Sequence, residues 1–292
     1  MLKYYKTVEN TIVELDTMEP GCWVSAVAPT ETEISSLQEE LNIDRDFIRS
    51  ALDEEETSRI ESDDGQTLIV LDYPVAEKVQ DKDDTISYYT MPMGIIITDS
   101  HVVTVCLKEN IIIDEFTKGI VKGIQTQFKT RFVFHMLLRI AGKYLLYLKQ
   151  IDKLSNYVEQ QLHKSMKNKE LIQLLGLEKS LVYFSTSLKS TETVLDKILR
   201  GRTNRSKAGD RDEQYLFKHT FGYNGRIRKR NIKQSEYCNE GAYGYYDSNV
   251  SAHYGIQLLR YECSGSAASV YLVPGSDIRN SCRHCCNIDN KK

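Results

Sequence analysis

Two stretches of this chain gather side chains that could hold a metal ion. Asp53-Glu-Glu-Glu56 supplies four carboxylates, the hard oxygen donors that a divalent cation takes. The same run is also what an ordinary solvated acidic turn looks like. Cys282-Arg-His-Cys-Cys286 supplies thiols and an imidazole, the donors that suit zinc. Its ligands are crowded into consecutive positions with no second pair at a workable spacing, which argues against a zinc site. Asp81-Lys-Asp-Asp84 reads as a charged loop. His135 and His163 fall on a long helical pattern with no nucleophile or acid beside them, so they read as packing or surface residues. Arg226-Ile-Arg-Lys-Arg230, with Tyr223 and Tyr237, has the basic and aromatic mixture that meets nucleic acid, yet the formal net charge is -3. No phosphate-binding glycine loop and no nucleophile elbow is present. The expectation is therefore no catalytic residue, no organic cofactor, no nucleic-acid partner and no enzyme.

The elements that would position the acidic run lie in an α/β region ending near Lys108. Leu2–Val8, Thr11–Leu15 and the apolar Cys22–Ala28 read as strands. Thr30 and Glu33 have capping-box spacing, opening a helix with Ile34, Leu37 and Leu41 on one face. A shorter helix from Asp44 turns Phe47, Ile48, Ala51 and Leu52 inward. Glu61–Gly65 reads as a turn, and Thr67–Tyr73, Ile86–Thr90 and Gly94–Thr98 as strands. Asp99-Ser100 makes a hairpin with His101–Leu107.

Helical periodicity then takes over. Ile113, Phe116, Ile120 and Ile124 predict one helix from Ile111 to about Gly123. From Thr130 to about Lys167, apolar residues from Phe134 to Leu162 recur at steps of three and four with no proline. At about 1.5 Å per residue that helix exceeds roughly 50 Å. Asn168-Lys169 turns the chain into another long helix over Leu171–Leu199. The fold class expected is α+β: a mixed-sheet head at 1–108, long antiparallel stalk helices at 109–202, and an irregular tail.

The tail differs in kind. Of seven cysteines, five lie beyond Thr203, among scattered tyrosines with neither helical nor strand period. Only Cys22 and Cys106 precede it, as in a chain from a reducing compartment. There is no apolar leader after Met1, and no run of about 18 apolar residues to span a bilayer. The expectation is a soluble, cytoplasmic chain.

Four stretches carry a family likeness: Met18-Glu-Pro-Gly-Cys-Trp-Val24, Ala51–Glu61, Tyr89-Thr-Met-Pro-Met-Gly-Ile-Ile-Ile97 and Leu171–Lys189. Over 1–202 the chain resembles the cytosolic part of the CorA family of magnesium and cobalt transporters. The resemblance implies an α/β head on stalk helices, a homopentamer in the cell membrane, and Mg2+ or Co2+ as the transported or regulatory ion. It also implies regulatory cations between heads near the end of the second short helix. Asp53 and Glu54 are then the metal candidates, with Ser50 standing where one branch of the family has its acidic ligand. The family's Gly-Met-Asn pore motif is absent from this reading.

It can be found one frame away. With the first base dropped, codons for Arg260-Tyr-Glu-Cys263 permit Gly-Met-Asn, and the following Ser-Gly-Ser-Ala permits Pro-Val-Pro. In the same frame Glu213–Arg226 permits Ser-Asn-Ile-Tyr-Ser-Asn-Ile-Leu-Ser-Gly-Thr-Met-Asp, and Ile232–Tyr246 permits Asn-Asn-Leu-Asn-Ile-Val-Met-Lys before apolar residues. The string decoded from Glu213–Arg226 resembles the family's segment entering its first membrane helix. The expectation is a frameshift near Thr203 that also removed stalk sequence and left a transport-incompetent chain. The alternative is a soluble cation-sensing or protein-interaction module.

Overall fold

The structure is a computed structural model that describes residues 1–78, 86–165, 168–205, 218–220, 222–236 and 238. Its strands are β1 (Leu2–Val8), β2 (Thr11–Leu15), β3 (Trp23–Val27), β4 (Arg59–Asp63), β5 (Gln66–Lys78), β6 (Ile86–Ile97) and β7 (Val102–Cys106). They form one sheet in the order β2-β1-β3-β7-β6-β5-β4. The β3–β7 pair is parallel and the other pairs are antiparallel, giving the expected mixed sheet.

The sheet separates two apolar layers, and strand alternation assigns residues to them. Val24, Ala26, Leu68, Val70, Ile96 and Val103 face helices α1 (Glu31–Leu41) and α2 (Arg45–Ser50). Trp23, Ile69, Leu71, Met93, Ile95 and Val102 face the opposite way, into a cluster built with α3 (Ile111–Thr117), α4 (Lys129–Ser165) and α5 (Asn168–Arg205). Trp23 is fully buried there between Tyr5, Phe116 and Phe132, and its indole N–H donates to Thr104 Oγ1 at 2.9 Å. The long helices thus do more than extend from the head: their inner halves complete its core. Phe132, Val133, Met136, Leu137 and Ile140 of α4 are all buried, whereas from Ile151 onward only one stripe is.

Three local expectations need correction. Glu61 is not in a turn but in β4; the turn is Asp64-Gly65, both at positive φ, as a tight hairpin demands. Ile86–Thr90 and Gly94–Thr98 are one strand, β6, running through Pro92. The ladder to β7 ends at Met93, so Pro92 sits where β6 has become an edge on that side and a missing amide costs little. The helix expected to reach Gly123 stops at Thr117, because Gly119 and then Gly123 adopt the left-handed backbone that ends helices. Ile120 is consequently exposed, while Ile124 reaches the core from a loop.

Beyond the compositional break, α5 continues to Arg205. The described residues 218–220, 222–236 and 238 are helical and lie against α4 and α5. The rest of the expected irregular tail, including Cys263 and Cys282–Cys286, is outside the described residues, as is Asp81–Asp84.

Candidate cation site

Asp44 caps α2 by accepting from the Asp46 amide at 2.9 Å, and the helix ends where Ala51 packs beneath the sheet. The chain then turns outward through Leu52–Glu56 before entering β4. Asp53, Glu54 and Glu55 are exposed and Glu56 half-buried. The turn is held from within: Asp53 Oδ1 accepts from the Glu55 amide at 3.0 Å, and the Asp53 carbonyl accepts from the Glu56 amide at 3.2 Å.

Basic side chains already answer part of this charge. Arg59 lies 2.5 Å from Glu56 and 3.3 Å from Glu61, and donates to Ser50 Oγ at 3.0 Å. The Glu56 carboxylate, and secondarily Glu61, holds the Arg59 guanidinium above its ordinary value. Lys108, leaving β7, stands 4.0 Å from Glu54 Oε1. Asp53 and Glu54 are thus brought to one exposed turn. Among the described residues, no three His, Cys, Asp or Glu side chains converge as a ligand set.

The other sequence candidates resolve differently. His135 is half-buried on α4, where burial and then Arg131 push its imidazole below the ordinary value. His163 lies on α4 as expected. The basic run is engaged with protein: Arg228 pairs with Glu192, Arg230 reaches Asp152 at 3.5 Å, and Arg226 stacks on the Tyr223 ring at 4.8 Å.

Two polar clusters were not singled out in the sequence. Glu115 of α3 is buried between Arg139 at 2.5 Å and Lys143 at 2.7 Å, both on α4. Burial opposes the Glu115 charge, but the two hydrogen bonds outweigh it and hold the carboxyl below its ordinary value. Arg139 and Lys143 stand four residues apart on a face otherwise apolar, and that spacing was the available signal. The second cluster joins the sheet to the helices. Tyr144 Oη lies 2.6 Å from Ser187 Oγ and donates to the Asp72 carbonyl at 3.3 Å. Burial pushes the Asp72 carboxyl up, partly offset by a hydrogen bond from Ser187.

The family described as CorA-like Mg2+ transporter protein matches residues 19–222, most of the chain and past the break at Thr203. The chain belongs to the CorA family. The cobalt/magnesium transport protein CorA of Methanocaldococcus jannaschii is 27% identical over 182 residues, covering 59% of this chain and 53% of that protein. The chain therefore spans about half the length of the curated relative it matches. The complete structure of the CorA magnesium transporter from the same organism superposes with a TM-score of 0.71 at 19% identity, covering 86% of this chain and 78% of that one. The structure of its soluble domain gives 0.69 at 19% identity, covering 82% and 94%. At this identity these two likenesses establish the fold. The CorA-family chain has, among its described residues, no helix long and apolar enough to cross a membrane.

Proposed function

We propose that this chain is the cytosolic head and helical hairpin of a CorA-type channel for Mg2+ or Co2+, cut off from its pore by a change of reading frame near Thr203. The observation that supports this is the family match, the greater part of which lies before Thr203, together with codons at Arg260–Cys263 that permit the family's pore motif one frame away. In the family setting the region faces the cytoplasm within a homopentamer. As translated, the polypeptide stays in the cytoplasm, does not conduct, and self-associates weakly for want of its full stalk. The test is rescue of a magnesium-transport-deficient strain. The frame-restored gene should rescue it and this polypeptide should not; rescue by this polypeptide would overturn the proposal.

The regulatory ion is assigned to Asp53 and Glu54. Two exposed carboxylates on one turn suit a hard cation that keeps several waters and is bound by one or two protein oxygens. Lys108 competes for Glu54, so affinity should be weak and fall with salt. A soluble cation sensor would use the same turn without any pore. A Mg2+-dependent thermal shift lost in the D53N/E54Q variant, together with failure of the frame-restored gene to transport, would favour that second reading.

A further inference from the structure

On the sheet face opposite α1 and α2, helix α3 leaves one corner of the strands uncovered. A cavity of about 350 Å³ remains there, floored by β1 and β3 and walled by β2 and α3. Strand register builds the floor. Lys3 stands opposite Ser25, and Tyr5 stands opposite both Trp23 and Glu14, so these side chains share one face. Ser25 is 2% exposed and Tyr5 6%, with the Tyr5 ring held 5.0 Å from that of Trp23. Neither the Ser25 nor the Tyr5 hydroxyl has a hydrogen-bond partner among the described residues, and neither oxygen is sealed from the cavity. Hydroxyls on residues so deeply buried are ordinarily paired, and two unpaired ones on a single cavity floor point to a polar occupant.

The charges around this floor are sorted by sign. At one end Lys3 is the cross-strand neighbour of Ser25, which puts an ammonium and a hydroxyl side by side as donors. At the other end the Tyr5 phenol feels carboxylates from two elements: burial first, then Glu14 of β2 and Asp114 of α3, push it up to about 12. The two ends lie two residues apart on β1, or about 7 Å. Each cation already faces an anion, Lys3 at 3.2 Å from Glu14 and Lys118 at 2.7 Å from Asp114. The Met1 ammonium is taken by Glu33 at 3.0 Å and the Val27 carbonyl at 2.7 Å. Apart from the exposed Glu109, the lining therefore has little net charge. Such a lining repays a bare cation or a bare anion poorly, and suits a molecule that carries one charge of each sign.

We propose that this cavity binds a small zwitterion of the amino-acid class, its ammonium at Tyr5 Oη between Glu14 and Asp114 and its carboxylate at Ser25 Oγ and Lys3. The volume is at the small end for a ligand site, about 300–1,000 Å³, so the side chain of the ligand must be short. Val27 and Ile113 give it an apolar wall. The site uses no residue of the acidic turn and stands whether or not a restored frame conducts.

Calorimetric titration of the full chain tests this, with glycine, alanine, β-alanine and γ-aminobutyrate as probes and acetate and ethylamine as their one-charge halves. At least one zwitterion should bind saturably at millimolar concentration. Acetate and ethylamine should each bind at least about tenfold more weakly, since each keeps only one end of the site. Ser25→Ala and Tyr5→Phe should each weaken binding about five- to tenfold. Both should leave the melting temperature of the unliganded protein unchanged, because neither hydroxyl has an intramolecular bond to lose. Lys3→Ala changes a side chain that is 38% exposed, so it keeps the fold whatever the buried changes do, and it should weaken binding as well. No saturable binding of any zwitterion, a one-charge probe binding as tightly as the zwitterions, or undiminished binding in the three variants would each overturn the proposal. So would a lowered melting temperature in unliganded Tyr5→Phe, which would show that the fold already uses that hydroxyl.

Discussion

Gly94 is where the sheet touches the helix that carries the acidic turn, and a methyl group there should be felt. A Cβ built on Gly94 would lie 2.4 Å from Ala51 Cβ and 3.6 Å from Leu68 Cδ1. Ordinary carbon contacts sit at about 3.5–4.0 Å, so Gly94→Ala drives an overlap of more than about 1 Å onto the residue that ends α2. Neither side can yield freely, since β6 is paired on both sides at Gly94 and Ala51 is fully buried. Overpacking of this kind costs about 1–3 kcal/mol, or roughly 2–12 °C in midpoint for a domain of this size. Ala51→Gly, which removes the opposing methyl, should cost about 1 kcal/mol alone through chain entropy and lost burial. In the Gly94→Ala background it should instead restore stability. Urea unfolding of the four proteins measures the coupling. If the two changes simply add to within about 0.5 kcal/mol, the close approach is not what requires glycine there.

Glu115→Ala should leave Lys143 and Arg139 without their buried partner, at about 3–5 kcal/mol and a midpoint lower by roughly 10 °C, read by thermal unfolding. Because the folded Glu115 carboxyl sits below its ordinary value, its stabilisation is present above that value and lost on acidification, so wild type and variant should converge at low pH. Asp72 has the opposite sign. Its folded carboxyl is held above the ordinary value, so the protonated form is favoured by folding and stability falls as pH rises from the ordinary carboxylate value through the folded one. Asp72→Asn should therefore raise the midpoint at neutral pH and lose that advantage in acid, seen in a pH series of melts. Thr30→Ala should cost about 1 kcal/mol in chemical unfolding, since Thr30 Oγ1 accepts from the Glu33 amide in a capping box completed by Glu33.

Local chemistry was readable wherever the signal is short-ranged. The Thr30–Glu33 box, the short helix opening at Asp44 and the apolar stripe of α4 are set by neighbours within a turn or two, and each appeared where its spacing placed it. The family likeness was legible for a related reason, since stretches such as Met18–Val24 and Tyr89–Ile97 build the buried centre, Trp23 and Met93 among it. The acidic run was legible as charge but not as environment: Arg59, three residues beyond Glu56, also donates back to Ser50 at the end of α2, and Lys108 approaches Glu54 from the end of β7. Likewise, no spacing announces that Asp72 of β5 shares a cluster with Tyr144 and Ser187, since those residues belong to separate elements.

By itself the sequence determined most of the elements, the Thr30–Glu33 capping box, the family and the abrupt change of composition near Thr203, because these depend on residue type and period. Only the tertiary structure decided which faces meet. It made α4 and α5 part of the head's core, required glycine opposite Ala51, buried Glu115 between two cations, and laid the helical residues 222–236 against α4 and α5. Those outcomes depend on contacts between residues far apart in the chain, and a one-dimensional period carries no information about which distant face will cover it.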